Sequence, residues 1–169
     1  GGDVISVGPI SVESGKILLW IPDIEWKASS GKEIRVPVNI GNALGLSPYA
    51  MDIDILFDKN ILRAIRVEKT AVTAEMQVYY NVKEEGKIQI GAVPAIVQPG
   101  NILHGEGHIF NIIFEPKISV VEDTCVSLVF AEYDLYDAQT KVVPTEVRGG
   151  NVCIQTNCVR GDMNGDGKV

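Results

Sequence analysis

Met51-Asp52-Ile53-Asp54-Ile55-Leu56-Phe57-Asp58-Lys59-Asn60-Ile61-Leu62-Arg63-Ala64-Ile65-Arg66-Val67 is the stretch whose reading decides the fold. Met51, Ile53, Ile55 and Phe57 alternate with Asp52, Asp54 and Leu56, so a strand here buries one face and presents two carboxylates on the other. Asp58-Lys59-Asn60 has the chemistry to reverse the chain, because Asp and Asn side chains bond their own backbone and tolerate turn dihedrals. Ile61 to Val67 then returns as a second apolar segment. The outward, Asp-bearing face is the leading candidate for a working surface.

The same pattern continues on both sides. Turn clusters at Ser29-Ser30-Gly31, Gly41-Asn42, Glu84-Glu85-Gly86, Gln98-Pro99-Gly100-Asn101 and Gly149-Gly150-Asn151 punctuate short apolar segments with almost no helical period. That punctuation predicts an all-β sandwich. Nine strands are expected: Ile17 to Trp26, Glu33 to Ile40, Ala50 to Phe57, Leu62 to Glu68, Glu75 to Val82, Lys87 to Pro94, Gly107 to Pro116, Thr124 to Tyr133 and Asn151 to Gln155. Pro37 lacks an N–H for the ladder, so it belongs at an outward-facing position or a bulge. Ile88, Ile90 and Ala92 should point inward and Gln89, Gly91 and Val93 outward; Val126, Leu128 and Phe130 should likewise be buried, with Ser127, Val129 and Ala131 exposed.

With 169 residues, 46% of them hydrophobic, the chain suffices for one main domain. We place an irregular lead-in at 1–15, with room for a short strand at Val4 to Val7, the sandwich at 16–156 and a tail at 157–169. A net charge of -7 with scattered basic residues argues against nucleic acid or an anionic membrane as partner. No apolar run reaches the length of a membrane span, and the chain opens Gly1-Gly2-Asp3 without a signal peptide, as a mature or trimmed chain would. Cys125, Cys153 and Cys158 fit no zinc spacing. They leave open a bridge from Cys125 to Cys153 or to Cys158, or thiols with no bridge at all.

Taken together, Phe57-Asp58, Leu62 and Val67-Glu68-Lys69 resemble the central strand and following turn of the cohesin domains of cellulosome scaffoldins. Gly31-Lys32-Glu33-Ile34-Arg35-Val36-Pro37-Val38 resembles the family's second strand, and Gly107 with Ile109-Phe110, Ile112 and Phe114 its seventh. The resemblance implies a nine-stranded jelly roll whose strands eight, three, six and five form a flat sheet that receives a calcium-loaded dockerin. Carried onto this sequence, it implies a partner surface of Asp52, Asp54, Leu56, Gln89, Gly91, Val93, Val129 and Ala131, with Glu132, Tyr133, Leu135 and Tyr136 at its rim. Asp52 has the strongest claim as the acidic anchor. An extracellular or cell-surface location and an assembly or anchoring role follow from the same resemblance, with no cofactor for the body itself.

The tail, Gly161-Asp162-Met163-Asn164-Gly165-Asp166-Gly167-Lys168-Val169, resembles the start of a dockerin. Asp162, Asn164 and Asp166 occupy positions one, three and five of an EF-hand-type loop, Gly167 takes the sharp turn and Lys168 offers a backbone carbonyl at position seven. The carboxylate of position twelve is absent, so calcium is expected only if the loop is completed. This implies a natural protein that continues into a dockerin, which would itself be a possible partner.

Other chemistry is weaker. His104 and His108 on a strand would lie about 13 Å apart, too far to share a metal ion. No nucleophile elbow, phosphate loop or Cys-His arrangement is present, and acidic residues such as Glu84, Glu85 and Glu106 sit in turn-like contexts. No enzyme is expected. A carbohydrate-binding module of similar fold and a structural spacer are the alternatives, the former weakened because Tyr79 and Tyr80 are adjacent and must face opposite ways on a strand.

Overall fold

The computed structural model describes residues 3–4, 15–41, 48–83, 85–95 and 107–156. Among them are eleven strands of four residues or more, together with the two-residue β1 (Asp3–Val4), where nine were expected. One sheet runs in the order β1, β3 (Ile24–Lys27), β12 (Gly150–Gln155), β10 (Thr124–Tyr136), β5 (Ala50–Leu56), β8 (Lys87–Pro94) and β7 (Met76–Lys83). The other runs β11 (Thr145–Arg148), β2 (Ile17–Trp20), β4 (Ile34–Gly41), β9 (Gly107–Pro116) and β6 (Leu62–Lys69). The two form an all-β jelly-roll sandwich. No helix among the described residues is long and apolar enough to cross a membrane.

Two differences from the expected strands have separate causes. The segment expected as one strand from Ile17 to Trp26 is two, β2 and β3, which belong to different sheets. Pro22 cannot donate to a ladder, and the chain changes sheets across Ile21-Pro22-Asp23. The unexpected β11 lies parallel to β2 at a sheet edge, and its Thr-Glu-Val-Arg sequence carries only one apolar residue. From β11 the chain returns to the first sheet through Gly149 and Gly150. A Cβ on Gly149 would lie 2.0 Å from the Leu128 carbonyl oxygen, and one on Gly150 2.4 Å from that of Ile21, so the crossing requires glycine at both positions.

The inner faces meet in one core containing Trp26, Phe57, Phe110 and Phe114. The Phe57 and Phe114 rings join the two sheets edge to face, with centroids 5.1 Å apart. β2 flanks β4 only from Asn39 to Gly41, which leaves Pro37 an edge where its missing N–H breaks no ladder bond on that side. On the outer face of the second sheet Ile113 is fully buried, flanked across the strands by Arg35 and Arg66. Those guanidiniums join Glu33 and Glu68 in an ion-pair network, in which Arg66 lies 2.9 Å from each carboxylate and Arg35 pairs with Glu68. Hydrogen bonding to Arg66 holds Glu33 below the usual carboxylate range, and hydrogen bonding to Arg35 and Arg66 does the same for Glu68. The Arg66 guanidinium is correspondingly raised by Glu33 and Glu68.

Cys125 and Cys153 stand directly opposite each other on β10 and β12 and form a disulfide. Cys158 lies outside the described residues, as do Asp162, Asn164, Asp166 and Lys168 of the dockerin-like tail, and His104. His108 sits on β9 with its Nε2 2.6 Å from the Asn111 side-chain oxygen.

Candidate functional site

The sheet order places β10, β5, β8 and β7 side by side, and their outer face collects most of the residues expected to bind a partner. Alternation along β5 puts Met51, Ile53 and Ile55 in the core and Asp52, Asp54 and Leu56 outside. On β8, Ile88, Ile90 and Ala92 are buried, while Gln89 and Gly91 are half-buried and Val93 is exposed. Register then fixes the neighbours. Gly91 lies between Asp52 and Tyr79, and Gln89 between Asp54 and Asn81.

β10 departs from simple alternation. Its pairing with β5 shifts between Phe130 and Glu132, a bulge in which Ala131 is the extra, exposed residue. Before the bulge Val129 faces out, 51% exposed, opposite Leu56. After it the outward residues are Glu132, opposite Asp54, and Asp134, opposite Asp52. Tyr133 falls in register with inward Ile53, and Leu135 is fully buried opposite Met51, so Leu135 leaves the candidate surface. Asp134, outside the surface expected from sequence, takes a place in it. The signal is present in sequence: the apolar phase Val126, Leu128, Phe130 resumes at Tyr133 and Leu135, a spacing of three that marks an inserted residue.

Four carboxylates thus form two cross-strand pairs, and like charges directly opposite one another repel. Lys87 offsets one of them, its Nζ 3.3 Å from Asp54, which is only 8% exposed. Tyr136 closes the row opposite Ala50, its phenol pushed up first by burial and then by the Asp134 and Asp52 charges. The four carboxylates do not converge as metal ligands; no cluster suited to a metal ion occurs among the described residues.

Absence of a side chain at Gly91 opens a concavity of about 450 Å³ bounded by Asp52, Asp54, Glu132, Asp134 and Tyr79. Tyr79, outside the partner surface expected from sequence, is 61% exposed and donates a hydrogen bond of 2.7 Å from its hydroxyl to the Gln77 side-chain oxygen. The face offers hydrogen-bond acceptors and negative charge around an uncharged floor, with apolar Val93, Leu56 and Val129 at its margins. Such a surface suits a partner bearing donors and cations better than it suits catalysis.

Residues 25–152 match the family model of the cohesin domain. No curated protein gives a match. Among solved structures, the chain is similar to the sixth cohesin of Acetivibrio cellulolyticus scaffoldin B, determined in complex with a dockerin, at 18% identity and a TM-score of 0.69 over 81% of this chain and 97% of that one. It is similar to a Clostridium thermocellum OlpA cohesin, also determined with a dockerin, at 19% identity and a TM-score of 0.70 over 82% and 99% of the two chains. A non-cellulosomal cohesin from the archaeon Archaeoglobus fulgidus gives 21% identity and a TM-score of 0.65 over 82% and 91%. With the family model matching from β3 into β12, through every strand of the acidic face, the chain belongs to the cohesin family.

Proposed function

We propose that this chain is a non-catalytic protein-interaction module that binds a calcium-loaded dockerin on the outer face of β10, β5, β8 and β7. The observation that carries the reading is the pairing of Asp52 with Asp134 and of Asp54 with Glu132 around the Gly91 concavity. Among the described residues only Lys87 relieves the cross-strand repulsion there, so a partner supplying hydroxyl, amide or cationic donors gains both hydrogen bonds and charge compensation. Solved cohesins of the same fold have been determined bound to dockerins, which favours that partner class.

In this reading the calcium belongs to the dockerin, and to the chain's own tail only if its loop is completed. The Cys125–Cys153 disulfide is in keeping with an oxidising, extracellular or cell-surface setting, where an assembly or anchoring role belongs. Calorimetric titration with a panel of calcium-loaded dockerins, one of them built by completing the chain's own tail, tests the proposal. Saturable binding that disappears with EDTA is expected; absence of binding across the panel, with binding instead to a polysaccharide array, would replace this reading with a glycan-binding one.

A further inference from the structure

The seam where the two sheets come edge to edge carries a second surface. β7 ends one sheet and β6 the other, so among the described residues each has a strand partner on one side only. Between them, toward the β5–β6 turn, lies a groove of about 530 Å³. Its apolar lining is half-buried Ala64 and Val82, over the buried Phe57 and Leu62. Its rim is cationic, made by Lys59, Arg63, Lys83 and Lys117.

This concentration runs against the charge of the molecule, which is -7. Arg63 is satisfied by Glu115. Among the described residues Lys59, Lys83 and Lys117 form no ion pair, and the carboxylates near them in sequence, Asp58 and Glu85, do not line the groove. Three lysines thus line one groove with no carboxylate among its lining residues. Each repels the others, and an anionic occupant removes that repulsion.

We propose that this seam binds an extended acidic peptide segment of a partner protein. Extended backbone fits because edge strands flank the trough on both sides and can accept a further strand. Acidic side chains fit because the rim is cationic, and alternate apolar side chains can reach the floor, since a strand presents successive residues to opposite sides. The groove involves none of the acidic residues of the outer face, so it is independent of dockerin binding.

The test uses the isotope-labelled chain and a short capped peptide alternating glutamate with valine, followed by backbone amide shifts. A lysine–valine peptide and inorganic phosphate serve as controls, and a Lys83→Glu, Lys117→Glu double variant, checked for an unchanged melting temperature, as the altered site. Saturable shifts at Leu62, Ala64 and Val82 are expected, weakened about tenfold or more in the double variant and by added salt, with the lysine peptide inert. No saturable shift, or equal affinity in the double variant, would overturn the proposal. A response to phosphate with none to the glutamate peptide would also overturn it, showing general anion attraction. Concentration-dependent self-association that the double variant abolishes would assign the groove to the acidic face of a second copy instead.

Discussion

Asp52 on β5 stands directly across from Asp134 on β10, two carboxylates facing each other at the centre of an open sheet face. Repulsion in such a pair opposes folding, and in the proposed function a partner's donors offset it. Asp52→Asn and Asp134→Asn should each raise stability by a few tenths of a kcal/mol at low salt, an increment that fades as salt screens the pair. Thermal unfolding at low and high ionic strength measures this. Asp52→Ala should meanwhile weaken dockerin binding by about 2 kcal/mol, as for a central anchor; equal affinity in mutant and parent would remove Asp52 from the site.

Gly91 is the floor of that face, and a Cβ there would lie 3.5 Å from the Asp52 Oδ1, an ordinary contact. Gly91→Ala should therefore fold and melt as the parent does. Gly91→Leu fills the concavity and should reduce dockerin affinity about tenfold or more with little change in melting temperature. Calorimetry alongside thermal unfolding separates the two effects.

Cys125 and Cys153 are separated by 28 residues in sequence. Closing a loop of that length restricts the unfolded chain, so Cys125→Ser with Cys153→Ser should cost about 3 kcal/mol, read from denaturant unfolding. The acidic face lies further along the same sheet, and its dockerin affinity should be retained wherever the variant remains folded.

Much of this arrangement is legible in the sequence, and the exceptions have physical reasons. The bounds of β8 and β9 coincide with the apolar runs Lys87 to Pro94 and Gly107 to Pro116, because both are flanked by strands on either side and turn an apolar face to the core. Local alternation cannot say which sheet a strand joins, so the change of sheet at Pro22 is hidden until long-range pairing is known. Sequence leaves open Cys153 or Cys158 as partner of Cys125, or no bridge, because disulfide choice depends on register, and it is the β10–β12 ladder that sets Cys153 opposite. The cationic groove is hidden for a different reason: Lys59, Lys83 and Lys117 come from a turn, a strand end and a loop far apart in the chain.

The Arg66 network over Ile113 carries a pH dependence of defined sign. Glu33 and Glu68 have folded-state pKa values below their unfolded ones, so their contribution is complete above the unfolded carboxylate range and is lost as pH falls through the lowered folded values. Melting temperature should fall on acidification from neutral pH to about pH 3. Glu33→Gln with Glu68→Gln should flatten that fall while lowering stability at neutral pH.

The most direct test of the docking face is amide chemical-shift mapping of the labelled chain during titration with a calcium-loaded dockerin that binds it. Perturbations should concentrate at Asp52, Asp54, Gly91, Val129, Glu132 and Asp134, with the β4 and β9 strands of the other sheet silent. Perturbations centred on β4, β9 or the β6–β7 seam, with the β5 and β8 amides unmoved, would contradict it.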